Sequence, residues 1–333
     1  MAENAPVPNS EGGESTLTVL LAGGVNLLIA VLKLVAGLIT GSASMLSESV
    51  HSVADTITEG LLLTALRVSR RPADRAHPFG YGKARYFWSL LAAVSIFASG
   101  ASFAFYEGIS TIFGHGGEQT SPLVAYLVLA AAFGLECTSW LQAVRQVRRD
   151  AADQGRTFRM QLRHGDDPTA TTVFYEDSAA MAGLVLAFAG VGLHQLTGQA
   201  VWDGVASVAI GLLLAGVAFL LGRANAALLI GRQAAPDLVY GVRDSLAAAP
   251  EIEAVVDLQT MLIGTDSVLV CARVDFDDTL TAGELEQVCV RLAGELQTEH
   301  HDVTEVFIEP VPRSNPDLRA AVLARYGEQT RIG

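Results

Sequence analysis

The chain of 333 residues is 50% hydrophobic and only 17% charged, with a mean hydropathy of +0.37, whereas a soluble domain carries about 25% charged residues. This composition favours a membrane protein. The formal net charge of −13 argues against a nucleic-acid-binding surface, which needs an excess of Lys and Arg, and an odd count of three cysteines without Cys-x-x-Cys spacing argues against a disulfide framework.

The chain begins with a polar, acidic segment, residues 1–16, which lacks the basic start and the small-residue cleavage site of a secretory signal. We interpret it as a disordered cytoplasmic tail. Each of the six apolar stretches that follow is long enough to cross a hydrocarbon core ~30 Å thick as a helix. They cover about residues 17–39, 43–66, 87–113, 122–147, 171–195 and 200–222. The pattern predicts an all-α bundle of six transmembrane helices.

Basic residues cluster in the loop between the second and third stretches and in the loop between the fourth and fifth. Loops rich in Lys and Arg stay in the cytoplasm, and an even number of spans places both termini on one side of the membrane. We therefore expect both termini in the cytoplasm and a location in a bacterial inner membrane.

Beyond a linker at residues 223–234, the pattern becomes that of a soluble domain. Pro236 opens a helical stretch, and Thr281 with Glu284 has the spacing of a capping box at the start of a second helix. The predicted elements are a helix over 236–249, strands over 255–263 and 267–276, a helix ending near 299 and a strand over 303–308. This α-β-β-α-β order predicts a small α+β cytoplasmic domain of the ferredoxin-like kind over residues 235–313, with a C-terminal tail at 314–333.

The second span carries several ionisable residues. Insertion of each such residue near the centre of a membrane helix costs at least ~2.5–3.5 kcal/mol, so their presence indicates a function. His51 and Asp55 are four residues apart, so they share one helical face. Imidazole nitrogen and carboxylate oxygen are ligand types of Zn²⁺ sites. Two ligands from one helix need others from a second helix, and the fifth span offers Glu176 and Asp177.

Two interpretations of His51 and Asp55 stay open, a hydrogen-bonded pair that joins helices or one half of a cation site. Carboxylates that face each other across spans repel, or hold a proton, unless a cation lies between them. This favours a metal or proton site. Water-facing, packing or snorkelling roles are assigned to the other polar residues of the spans, which are Glu48, Glu59, Glu107, Asn26, Lys33 and Glu136.

Three segments resemble the cation diffusion facilitator family. They are residues 41–55 with His51-x-x-x-Asp55, residues 77–84 with His-Pro-Phe-Gly-Tyr-Gly-Lys-Ala, and Asp167-Pro-Thr with Glu176-Asp177 downstream. The similarity covers about residues 17–313. It implies six spans, a cytoplasmic ferredoxin-like domain, and a homodimer in the lipid bilayer that transports divalent metal ions.

The resemblance also implies a ligand set for the transported ion, with two ligands on the second span and two on the fifth. His51, Asp55 and Asp177 match family ligand positions. The fourth position, usually histidine, is Val173 here. This leaves three ligands unless Glu176, a water molecule or Glu48 completes the set, and because the Glu-Asp pair resembles a subgroup of the family we favour Glu176.

A second metal site in the loop after the second span is present in some family members. Asp74 and His77 match two of its ligands, whereas the third, usually histidine, is Tyr81. We expect a weak site at best and prefer a structural hinge. Lys83 matches a lysine of the family's dimer region, although its usual acidic partner is missing from this sequence.

The soluble domain departs further from the family, whose members often bind regulatory metal there through histidines. Val256, Arg273 and Glu309 occupy the corresponding positions, and we expect His300 and His301 to be exposed. The domain is therefore expected to dimerise through apolar and polar contacts, without a metal cluster.

The resemblance implies proton-coupled alternating access that exports metal from the cytoplasm. Metal ligands must be deprotonated to bind, so an entering ion displaces protons. Zinc is the first expectation, and Mn²⁺, Fe²⁺, Co²⁺ or Cd²⁺ stay open because one nitrogen with several carboxylates is a harder ligand set. No cofactor is expected beyond the transported cation.

Two other protein classes are alternatives. An intramembrane metalloprotease would need a motif such as His-Glu-x-x-His, which the sequence lacks, so we do not expect an enzyme. A membrane-anchored metal sensor or scaffold without transport would hold its ligands in the soluble domain, where the sequence does not show them.

Overall fold

The structure is a computed structural model that describes residues 27–114, 122–153, 155, 157–164, 168–265 and 267–326. The chain divides into two compact units. The membrane unit comprises the described residues of 1–66, 87–163 and 168–225, and the C-terminal unit comprises those of 67–86, 164–167 and 226–333. The predicted disordered tail lies outside the described residues.

Six helices lie at the positions of the six predicted spans, the first being described from Leu27 onward. In chain order they are Leu27–Thr40, Ala43–Ser69, Ala84–Phe113, Pro122–Asp153, Pro168–Thr197 and Val201–Ile230, hereafter the first to sixth spans. Among the described residues, the last four are long and apolar enough to cross a membrane. A short helix, Phe158–His164, lies between the fourth and fifth spans.

The first span shows the reversed polarity expected of a helix in lipid. Its only charged residue among those described, Lys33, is fully buried, while large aliphatic side chains cover the outward face. These exposed residues are Leu27, Leu28, Val31, Leu32, Leu34, Val35, Leu38 and Ile39. Apolar atoms outside and a charge inside are stable only where the surrounding solvent is hydrocarbon.

The third span is a continuous helix with one wider turn. A π-helical segment, Ile96–Ala101, separates two α-helical parts. The hydroxyl of Ser102 donates to the carbonyl of Phe97, five residues earlier, at 3.0 Å.

Glycines let the third and sixth spans touch through their backbones. A Cβ atom added to Gly108 would lie 2.7 Å from the carbonyl oxygen of Gly204 and 2.8 Å from the backbone nitrogen of Val208. Real Cβ atoms do not approach so closely, so only glycine fits at this crossing. Small residues at helix contacts are typical of membrane bundles, where close packing rather than the hydrophobic effect drives association.

The C-terminal unit has the predicted α-β-β-α-β order. Its elements are helix Pro236–Ala247, strands β1 (Ile252–Gly264) and β2 (Ser267–Phe276), helix Ala282–Glu299 and strand β3 (Val303–Pro310). The sheet order is β1-β2-β3, with β1 and β2 antiparallel and β2 and β3 parallel. The capping box of Thr281 and Glu284 is confirmed, and a further helix, Pro316–Tyr326, forms where the sequence predicted only a tail.

The loop between the second and third spans packs on the β1–β2 turn of this unit. The Tyr86 hydroxyl donates to the Gly264 carbonyl at 2.8 Å, and an Arg85 nitrogen donates to the Thr265 hydroxyl at 3.0 Å. Gly82 lies against the backbone of residues 263–264, where a Cβ would clash. The contact explains why position 82 of the His-Pro-Phe-Gly-x-Gly-Lys segment is a glycine.

Candidate metal centre

The second span, which carries the predicted ligands, is anchored at its N-terminus by a residue of the sixth span. Buried Asp203 accepts hydrogen bonds from the Ala43 backbone nitrogen at 2.6 Å, from the Ser42 hydroxyl at 3.0 Å and from the Ser44 hydroxyl. Helix N-termini leave backbone N–H groups unpaired and carry a partial positive charge. The Asp203 carboxylate accepts hydrogen bonds from these N–H groups and compensates the partial positive charge. The sequence analysis did not identify this residue.

His51 and Asp55 form the centre of the candidate site. The His51 Nδ1 atom lies 3.3 Å from Asp55 Oδ1, and their side chains are 1% and 17% exposed. Among the described residues, neither imidazole nitrogen makes a hydrogen bond of acceptable geometry. A buried imidazole without partners is costly, and its nitrogens are therefore available to a ligand.

The two carboxylates of the fifth span face different neighbours. Glu176 is buried, and its Oε1 atom has no hydrogen-bond partner among the described residues. Asp177 instead accepts a hydrogen bond from the Ser139 hydroxyl of the fourth span at 2.9 Å. The two carboxylates therefore differ in their partners, and only Glu176 has a buried oxygen that lacks a hydrogen bond among the described residues.

The described part of the chain contains no group of three His, Cys, Asp or Glu side chains arranged to hold a metal ion. His51 and Asp55 are together, Glu176 has a buried oxygen without a hydrogen bond among the described residues, and Asp177 accepts a hydrogen bond from Ser139. His51 and Asp55 thus form a pair of candidate ligands. For these residues and a carboxylate of the fifth span to bind one metal ion together, side chains would have to move.

A buried ionic cluster lies beside this pair and was missed by sequence analysis, which assigned Lys33 and Glu136 to packing or snorkelling. The Lys33 ammonium donates to the Ser52 hydroxyl at 2.8 Å and to Glu48 Oε2 at 3.2 Å, and lies 3.8 Å from Glu136 Oε1. Lys33 and Glu48 are fully buried, so Lys33 does not snorkel. The available signal was the spacing of Glu48 and Ser52, one helical turn apart.

The loop that matches the second family site is organised by hydrogen bonds. Asp74 accepts from the backbone nitrogens of Ala76 at 2.9 Å and His77 at 2.7 Å, and from the Tyr81 hydroxyl at 2.8 Å. The Tyr81 hydroxyl bond lowers the pKa of Asp74, and the carboxylate raises the pKa of Tyr81. His77 Nδ1 lies 3.6 Å from Asp74, with both side chains about half exposed. The Tyr81 hydroxyl thus bonds to the Asp74 Oδ2 atom, an oxygen that a metal ion in this loop would use as a ligand.

An ionic row crosses the sheet where the resemblance implied regulatory ligands. The Arg273 side chain lies 3.4 Å from Asp257 on β1 and 2.7 Å from Glu309 on β3. Arg325 of the last helix adds a bond of 2.8 Å to Asp257. The guanidinium groups of Arg273 and Arg325 thus form ion pairs with the carboxylates at these positions. His300, expected to be exposed, is half-buried near Ser245, at 3.5 Å.

A multi-span bundle with imidazole, ammonium and carboxylate groups inside defines an integral membrane protein whose interior attracts cations. Residues 19–230 match the family model described as the cation efflux transmembrane domain. The chain belongs to the cation efflux family, a family of transporters rather than enzymes, and the resemblance to cation diffusion facilitators is confirmed.

Several curated proteins are similar to the chain. It is 37% identical over 265 residues to the mitochondrial proton-coupled zinc antiporter SLC30A9 of Xenopus laevis, covering 80% of the chain and 47% of that protein. It is 30% identical over 304 residues to metal tolerance protein C4 of Arabidopsis thaliana, covering 91% and 64%. The chain thus spans about half the length of the Xenopus relative.

Proposed function

We propose that this protein is a divalent transition-metal transporter that exchanges metal, zinc first, for protons by alternating access. The observation that carries the proposal is the pair of His51 and Asp55, 3.3 Å apart and buried inside an apolar bundle, with unpaired nitrogens among the described residues. The similarity to a proton-coupled zinc antiporter and to a metal tolerance protein supports the choice of substrate. Manganese, iron, cobalt and cadmium ions are alternative substrates.

The proposed ligands are His51, Asp55 and Glu176, with Asp177 as the accessory carboxylate that matches the family position. His51 binds as a neutral imidazole and the carboxylates bind as anions, so metal entry releases protons that these groups held. Protons that return from the other side favour release of the ion. A movement of the fifth span toward the second would bring Glu176 to His51 and Asp55 and close the site.

The remaining parts of the proposal concern orientation and assembly. Both termini and the C-terminal unit lie on the cytoplasmic side, because the basic loops flank the ends of the second and fourth spans. The direction is export from the cytoplasm. The C-terminal unit forms a homodimer through apolar and polar contacts rather than through a metal cluster, and the Asp74 loop is a hinge.

Flux measurements test the proposal. The full chain is reconstituted into liposomes with a pH gradient, and entry of Zn²⁺, Mn²⁺ and Fe²⁺ is followed separately. Asp55→Ala is expected to abolish flux and to leave the helical circular dichroism signal unchanged. The matched control is Glu107→Gln, which alters a half-buried carboxylate of the third span outside the candidate site and should retain most of the flux.

Single replacements in the fifth span rank the carboxylates. Glu176→Gln is expected to weaken zinc binding more than Asp177→Asn, because Glu176 has a buried oxygen without a hydrogen bond among the described residues, whereas Asp177 is already bonded to Ser139. Undiminished flux by Asp55→Ala would reject the proposed site, whereas a larger loss for Asp177→Asn would exchange the roles of the two carboxylates.

A further inference from the structure

Lys33 places a fixed positive charge in the interior of the membrane unit. Its ammonium touches groups on two other spans, Glu48 and Ser52 of the second and Glu136 of the fourth, at 3.2, 2.8 and 3.8 Å. No part of the Lys33 side chain is exposed. A buried ammonium is tolerated in such a place only because carboxylates neutralise it.

The cluster lies next to the candidate metal ligands. Ser52, which accepts the ammonium hydrogen bond, follows His51 directly in the chain, and Asp55 lies one helical turn beyond His51 at 3.3 Å from its ring. The Glu48 carboxylate also presses against Gly183 of the fifth span, where any Cβ would clash with it. The ammonium is thus held at the point where the first, second and fourth spans meet, close to the fifth.

We propose that Lys33 is an affinity-determining residue, a built-in cation that opposes the transported metal ion and keeps its binding weak enough for release. The inference rests on the proposed function, since it requires a metal ion near His51 and Asp55. A divalent cation entering the unit is attracted by the carboxylates and repelled by the ammonium. At an effective dielectric constant of about 20, a single and a double positive charge within about 10 Å of each other repel strongly enough to change affinity by about a hundredfold or more, so a change of at least tenfold is expected here.

A purely structural role gives a different expectation. If the Lys33–Glu48 ion pair only joins spans, loss of either partner leaves a buried charge unpaired and weakens every activity that needs the fold. Removal of both partners would then restore part of the loss. The two roles are separated by the sign of the change in metal affinity when each partner is removed alone.

The experiment is a charge series measured on the full chain in detergent, with Zn²⁺ titrated by calorimetry at fixed pH. Lys33→Met removes one positive charge and is expected to bind zinc at least tenfold more tightly. Glu48→Gln removes one negative charge and is expected to bind at least tenfold more weakly. The double variant has the net charge of the parent and should bind within about threefold of it.

Flux supplies a second readout. Tighter binding in Lys33→Met should lower KM for zinc and also lower kcat, because the ion leaves more slowly. Lys33→Arg, which keeps the charge, should retain the parental KM. Weaker zinc binding by Lys33→Met, or unchanged binding, overturns the inference.

The series stays decisive if Lys33→Met alone does not fold. Lys33→Gln, which keeps a hydrogen-bond donor for Ser52 but removes the charge, then replaces it, and the inference requires at least tenfold tighter zinc binding by Lys33→Gln than by the parent. Equal binding in the two overturns it. Asp55→Ala separates this inference from the proposed function. If Asp55→Ala binds zinc as the parent does, the site itself is wrong, whereas loss of binding there with no effect of Lys33 rejects only the role of Lys33.

Discussion

Replacement of Asp203 tests whether the sixth span holds the second span in place. The carboxylate accepts from the Ala43 nitrogen at 2.6 Å, the Ser42 hydroxyl at 3.0 Å, the Ser44 nitrogen at 3.4 Å and the Ser44 hydroxyl. Hydrogen bonds to a charged group contribute about 1.5–3 kcal/mol each, and loss of a helix N-cap costs about 1 kcal/mol. Because these contributions overlap and the buried carboxylate is itself costly, we expect Asp203→Ala to lower the free energy of unfolding by about 3 kcal/mol.

The assay is unfolding of the full chain in mixed micelles by sodium dodecyl sulfate, followed by circular dichroism. Asp203→Asn keeps one acceptor oxygen and should lose roughly half as much stability. The control is Glu107→Gln, which neutralises a carboxylate in electrostatic range of Asp203 but leaves the cap in place. A loss below about 0.5 kcal/mol for Asp203→Ala would refute the anchoring role, since replacement of an N-cap residue by alanine costs about 0.5–2 kcal/mol.

Two further predictions concern packing and the loop. Gly108→Ala should destabilise the protein by about 1–3 kcal/mol, because its Cβ would meet the backbone of the sixth span at 2.7 Å. Gly216→Ala, with nothing within 4 Å, should be neutral or stabilising by up to about 1 kcal/mol; equal effects in unfolding titrations would contradict the close crossing. Tyr81→Phe should raise the pKa of Asp74, measured by carboxyl NMR, because it removes the hydrogen bond that lowers it most. Since the folded pKa of Asp74 is depressed, its contribution to loop stability is present above the unfolded pKa and is lost as pH falls through the folded pKa; an unchanged pKa would contradict this.

Local patterns were sufficient for most of the fold. Hydropathy located the spans because lipid demands long apolar helices, and the capping box marked the start of the helix at Ala282. The spacing of four between His51 and Asp55 predicted neighbours on one face, and the two side chains lie 3.3 Å apart. Such information lies within one turn of helix, where sequence and structure are directly linked.

The sequence alone could not predict which side chains of different spans contact one another. Glu176 and Asp177 are adjacent and differ by about 100° around the helix, so their neighbours depend on how the fifth span is rotated. Contacts such as Glu48 with Gly183 set that rotation, and no local pattern reveals them. The hydrogen bonds from the start of the second span to Asp203, 160 residues later in the chain, likewise could not be predicted from any local pattern.

The wide turn in the third span has a consequence for comparing this chain with its relatives. A π turn is equivalent to one extra residue within an α-helix, so the part after Ile96–Ala101 is shifted by about 100° relative to an uninterrupted helix. A relative without that turn needs a one-residue gap inside a transmembrane helix to bring equivalent positions into alignment. Alignment procedures that forbid gaps in membrane spans would mispair Gly108 and thereby conceal its contact with the sixth span.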